Sequence, residues 1–190
     1  MRLAFMTFGV LREPWGSPGV RGFEDRLDAT FAASDRAPGL LDRYDDDIDD
    51  FTMPDDDPRW GRWGPYRLPS VYPDDASDLA STREAVTLSI WRDIDSVFAF
   101  AYGGLHIEAL RRRSDWFEAR RWPTYVAWWI GDDDQPTWAE ATARLDRLHA
   151  EGPTPEAFDF HRPFDALGRP LARPGRPRGA STPAVDPSPG

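Results

Sequence analysis

The sequence predicts an α+β domain with a βαββαβ order of elements and one further helix at the C-terminal end. Three observations carry this expectation. Apolar, aromatic-rich runs at Leu3–Val10, Val86–Trp91 and Pro123–Ile130 read as strands. Helix-period segments follow the first and the third of the predicted strands. The neighbours Trp128 and Trp129 must point to opposite sides of their strand, so both faces of that sheet need cover.

Each element has its own signal. Leu3–Val10 is broken by Pro14, Gly16, Pro18 and Gly19. From about Val20, Phe23, Leu27 and Phe31 recur every fourth residue, with Thr30 and Ser34 extending the face, and Pro38-Gly39 ends the helix. Leu40–Asp45 is a short second strand. Residues 45–80 alternate the acid runs DDDIDD, PDDDP and PDD with RWGRWGPYRLPSVYP, which reads as a long insertion or lid. DDDIDD lacks the glycine turn and terminal Glu of a calcium loop, so a solvated acidic loop is expected.

Val86, Leu88 and Ile90 alternate with Thr87, Ser89 and Trp91, the pattern of a strand. A helix holding His106 follows, after an earlier turn through Ile94–Tyr102, with Gly103-Gly104 letting the backbone bend into it. Thr137 with Glu140 three residues on is a capping-box signature. It opens a helix with Trp138, Ala141, Leu145 and Leu148 inward, ending near Gly152-Pro153. Ala157–Phe164 is an expected edge strand. Residues 1–166 thus form one domain, and 167–190, rich in Pro, Gly and Ser, is a disordered tail. A chain in this order folds as a ferredoxin-like sandwich, one antiparallel sheet with helices on one face. The face left bare must be buried, and a symmetric partner is the usual solution.

Composition removes several function classes. The net charge of −10 argues against nucleic-acid or anionic-membrane partners. There is no Cys, which excludes disulfides, thiolate metal sites and thiol nucleophiles. There is no Lys, all 23 basic residues being Arg, which excludes Schiff-base chemistry. No stretch has the length of a membrane helix or the apolar core of a signal peptide, so a cytoplasmic location is expected.

The candidate site lies in the helix after the third strand. At roughly 100° per residue, one continuous helix puts His106 and Arg113 near the centre of an apolar arc with Leu105, Ala109, Leu110, Trp116 and Phe117. Glu108, Arg111, Asp115 and Glu118 lie opposite. A buried basic pair needs partners. Near a helix start the macrodipole keeps an imidazole neutral, as a general base or an axial heme ligand requires. Arg113 can hold a carboxylate or phenolate through its planar fork. The structural alternative is a core histidine donating to a backbone carbonyl, with Arg113 paired to a carboxylate of the strand layer. Trp91, Tyr102, Trp128 and Trp129 either wall an aromatic ligand site or fill the core. His149 and His161 are peripheral to this set, and no histidine metal site is predicted.

Six blocks carry a resemblance: FGVLREPWGSPGV, ATFAASDRAPGLLDRY, TLSIWRDIDSVFAFAY, LHIEALRRRSDWF, WPTYVAWWIGDDDQPTWAEA and HAEGPTPEAFDFHRPFD. In this order, over roughly residues 1 to 170, the chain resembles a bacterial family known as domain of unknown function 3291. That family is grouped with the dimeric α/β barrels, beside antibiotic biosynthesis and heme-degrading monooxygenases. The resemblance implies a ferredoxin-like protomer of the dimeric α/β-barrel type, a homodimer whose sheet faces its mate across a cavity. Heme-degrading and quinol-oxidising members use an Asn with Trp and His, and this chain contains no Asn.

The resulting expectation is a protein that binds a small hydrophobic or aromatic molecule. It is a monooxygenase- or cyclase-like enzyme on aromatic or polyketide-like compounds, with His106 as base or proton shuttle and Arg113 orienting an anionic group. The sequence requires no cofactor. Two alternatives stand beside it: heme binding through His106, and a non-catalytic structural or ligand-binding dimer.

Overall fold

A computed structural model describes residues 1–44, 53–72, 83–119 and 121–175. Its framework is a four-stranded antiparallel sheet of order β2-β3-β1-β4, built from β1 (Arg2–Val10), β2 (Leu40–Arg43), β3 (Glu84–Trp91) and β4 (Tyr125–Ile130). β1 is central, pairing Leu3 with Trp91 of β3 on one side and with Trp129 of β4 on the other. β2 lies on the outer side of β3, with a register shift between Leu40 and Asp42. The chain is therefore α+β, with every neighbouring strand pair antiparallel.

The period-2 alternation of the strands sorts the core into two layers. Ala4, Met6, Phe8 and Val10 of β1 share one face with Val86, Leu88 and Ile90 of β3 and with Val126, Trp128 and Ile130 of β4. On it lies the last helix, α6 (Trp138–Glu151), whose Trp138, Ala141, Leu145 and Leu148 point inward as its spacing predicts. Thr137 caps it, its hydroxyl accepting from the Glu140 amide at 3.2 Å. The Glu140 carboxylate turns instead to Arg144, so only half of the capping box forms.

Leu3, Phe5, Trp91 and Ala127 face the other way. They meet Ile94, Val97 and Ala101 of α3 (Ile94–Ala101) and the loop residues Phe158 and Phe160. Asp93 starts α3 by accepting from the Ser96 amide at 2.8 Å.

Four expectations need correction. The insertion is no lid where it is described: Met53, Trp60, Trp63, Tyr66 and Tyr72 are buried in the β1–β3–α6 core. Its 3₁₀ segment, Pro58–Trp63, opens on Asp57 and kinks at Gly61, where φ is 51°. The carboxylate of Asp146 on α6 accepts from the Ser70 and Val71 amides at 3.0 and 3.1 Å and ties the insertion down. The acid run DDDIDD lies outside the described residues. Within PDDDP, Asp55 and Asp57 are paired with Arg67 and Arg59.

The first helix is two pieces, α1 (Arg21–Glu24) and α2 (Leu27–Asp35). The Arg26 guanidinium takes the Gly22 carbonyl and the Arg26 amide turns to Phe23, which tightens the backbone between them. The predicted His106 helix is also divided, into α4 (Gly104–Arg111) and α5 (Arg113–Trp116), separated by Arg112. Ala157–Phe164 is no strand; Phe158 alone makes a reciprocal backbone pair with Ala127 on the edge of β4, at 2.8 and 2.9 Å.

Both faces of the sheet are thus covered within one chain, so burial of the sheet does not call on a partner. Asp165 holds Arg169 at 2.7 Å and Leu171 donates to the Pro163 carbonyl, tying the start of the predicted tail to the domain. Residues 176–190 lie outside the described residues. No described helix is long and apolar enough to cross a membrane.

Candidate functional site

His106 sits in the first turn of α4, just after the bend that Gly103 and Gly104 permit. A Cβ at Gly103 would lie 2.5 Å from the Ala99 carbonyl oxygen, and Gly104 adopts φ 46°. That bend folds α4 back so that His106 Nδ1 lies 2.8 Å from the Ala101 carbonyl oxygen. A carbonyl only accepts, so Nδ1 carries the proton and donates. Burial pushes the imidazole below its ordinary pKa of 6.5, more than the hydrogen bond to Ala101 raises it. The ring is therefore neutral near pH 7, with the lone pair on Nε2.

His106 lines a groove of about 350 Å³ between α2 and the α3–α4 pair. Ala33, Ala37, Ala99 and Phe100 make its walls apolar, and the Phe100 ring lies 5.2 Å from the imidazole. The exposed Arg36 stands at the same groove. Among the described residues His106 Nε2 has no hydrogen-bond partner, and it is not sealed from solvent. The groove thus offers one acceptor nitrogen and a cation beside small apolar walls.

Arg113 does not join it. The break at Arg112 turns α5 away, and Arg113 lines a second groove together with Arg12 and Arg111. Its guanidinium donates to Thr124 Oγ1 at 3.2 Å and lies over the Phe117 ring at 5.4 Å. The expected His106–Arg113 constellation is therefore two separate places. The projection failed because it assumed one unbroken helix.

The four candidate aromatics are divided as well. Trp91, Tyr102 and Trp129 belong to the α3 face of the sheet, while Trp128 is fully buried on the α6 face. Trp91 donates to Ser89 Oγ at 2.9 Å and Trp129 to the Phe164 carbonyl at 2.8 Å. Tyr102 stacks on Phe98 with ring centres 4.5 Å apart. None of the four lines either groove.

One buried group escaped sequence reasoning. Glu84 opens β3 on the α6 face, only 6% exposed, and its Oε2 has no hydrogen-bond partner. Burial pushes its carboxyl above the ordinary range, more than the neighbouring Tyr66 hydroxyl lowers it. The signal was present: Glu84 shares strand parity with Val86 and Leu88. Arg36, Arg12 and Ala33 carry no such signal, because only the packing of distant elements brings them to the grooves.

Comparison with curated proteins and with solved structures gives no match. A family model described as domain of unknown function DUF3291 matches residues 2–173, so the chain belongs to that family.

Proposed function

We propose that this protein binds a small apolar or aromatic molecule in the groove between α2 and the α3–α4 pair. His106 Nε2 accepts a hydrogen bond or a proton from it there. One observation carries the reading. A neutral imidazole, its Nδ1 held by Ala101, presents an unpartnered nitrogen to a groove walled by Ala33, Ala37, Ala99 and Phe100, with Arg36 beside it. This is the arrangement of a general base toward an acidic O–H or C–H, and it suits monooxygenase- or cyclase-like chemistry on a phenolic or polyketide-like compound.

The volume, about 350 Å³, is near the lower end of ligand pockets, roughly 300–1,000 Å³. It suits a one- or two-ring compound better than a heme, so we do not favour axial ligation by His106. The expected aromatic wall of Trp91, Tyr102, Trp128 and Trp129 is not part of this groove. Arg113 acts elsewhere.

The sheet order β2-β3-β1-β4 with antiparallel neighbours supports a ferredoxin-like protomer. A homodimer and a cytoplasmic location belong to the same reading. Because both sheet faces are covered, such a dimer would meet through helix surfaces or the β2 edge, where Leu41 is half exposed.

The test is fluorescence titration of the intact protein with 1-naphthol. Saturable binding is expected, weakened about tenfold in His106→Ala, the loss of one well-placed hydrogen bond. Unchanged affinity in a variant with wild-type circular dichroism would overturn the assignment.

A further inference from the structure

The second groove, of about 350 Å³, is built differently from the first. Three arginines from three elements converge on it: Arg12 just beyond β1, Arg111 at the end of α4 and Arg113 at the start of α5. The one acidic side chain on its lining, Glu118, is already paired, its Oε1 2.8 Å from Arg83. In a chain of net charge −10, this leaves a local excess of positive charge. We propose that the groove is a binding site for a small aromatic oxyanion, a carboxylate or a phosphate monoester.

Two of the three guanidinium groups are oriented before any ligand arrives. Arg12 Nε donates to the Phe117 carbonyl at 3.1 Å, which leaves its terminal nitrogens for a ligand. Arg113 is stacked over the Phe117 ring and steadied by Thr124 Oγ1. The Arg111 side chain makes no hydrogen bond or ion pair among the described residues and is exposed at the rim. A planar fork held in place matches two oxygens of one oxyanion at once. Phe117 and Leu110 add apolar wall, which selects an anion carrying a ring over a bare inorganic ion.

Phe117 is itself fixed by the sequence. It leaves α5 in extended backbone, and Leu11 and Phe117 form a backbone bridge. Its ring packs where β1 has no side chain, since a Cβ on Gly9 would lie 2.7 Å from Phe117 Cε1. The platform beneath Arg113 thus depends on a glycine in the central strand.

The test is isothermal titration of the full chain with benzoate and with phenyl phosphate at low and at high ionic strength. At least one probe is expected to bind saturably, more weakly at high salt, and the tighter of the two identifies the head group. Arg111→Ala, at an exposed side chain without a hydrogen bond or ion pair among the described residues, should weaken binding about tenfold, and so should Arg113→Lys, which keeps the charge and loses the fork. No saturable binding by either probe would overturn the proposal. Wild-type affinity in both variants would overturn it as well. The His106→Ala variant should bind these probes as the wild type does, which separates this site from the first groove.

Discussion

His106 and Ala101 are joined across the α3–α4 bend, the imidazole Nδ1–H donating to the Ala101 carbonyl at 2.8 Å. The bond satisfies a carbonyl at the end of α3 and fixes the tautomer of the ring at the same time. One contact thereby serves the fold and leaves Nε2 free for the groove.

The pH dependence of stability follows from that pair. Burial lowers the folded-state pKa of His106 below 6.5. The unfolded chain therefore takes up a proton more readily. The stabilisation is fully present above about pH 6.5, the ordinary value, and is lost as pH falls toward the folded-state value. Urea unfolding of the wild type should show decreasing stability from pH 7 to pH 5, and His106→Gln should flatten that decline. Parallel curves for the two proteins would remove His106 as the cause.

Glu84 behaves with the opposite sign. Its folded-state pKa is raised above 4.5 by burial, so its contribution is full below that value and is lost as pH rises through the folded-state value. Glu84→Gln removes the ionisation while keeping the size and shape of the side chain. The variant should be more stable than wild type by about 1 kcal/mol at pH 7, the scale of one poorly satisfied buried polar group. Calorimetry at pH 7 and pH 4.5 checks both parts, since the gain should shrink at the lower pH.

Trp60 tests whether the insertion is structural. It is 2% exposed, packs in the β1–β3–α6 core and donates from Nε1 to the Pro54 carbonyl at 2.9 Å. Truncating a buried Trp costs about 3–5 kcal/mol. Trp60→Ala should therefore lower the urea midpoint sharply. A change below about 1 kcal/mol would mean that the insertion covers the core only loosely.

The outcome separates what local pattern can express from what it cannot. Strand parity put Trp128 and Trp129 on opposite faces of the sheet, and helix spacing found the inward face of α6, because both are periodic and local. The joints failed. RRR at 111–113 reads as helix surface, and nothing in it marks Arg112 as the residue where α4 stops and α5 starts. That single break moved Arg113 to another groove. The burial of Trp60, Trp63, Tyr66 and Tyr72 was equally invisible, because Pro and Gly between them suppress any period and their partners come from distant elements, Phe8 of β1 for Tyr72 and Trp138 of α6 for Tyr66. Both grooves join elements far apart in the chain, a relation that no window of sequence contains.

Gly9 offers the sharpest check on the second groove, because its role rests on one contact. A methyl group there would meet the Phe117 ring at 2.7 Å, well inside van der Waals contact. Either the ring moves or β1 does, and overpacking of this kind costs about 1–3 kcal/mol. Gly9→Ala should lower stability by that amount and weaken binding of an aromatic oxyanion, since Arg113 loses the ring beneath it. A double-mutant cycle decides whether the clash is the cause. In a Phe117→Ala background the obstructing ring is gone, so Gly9→Ala should be close to neutral and the two changes should couple strongly. If their costs simply add, the loss comes from the strand itself, and Gly9 has no part in holding Phe117.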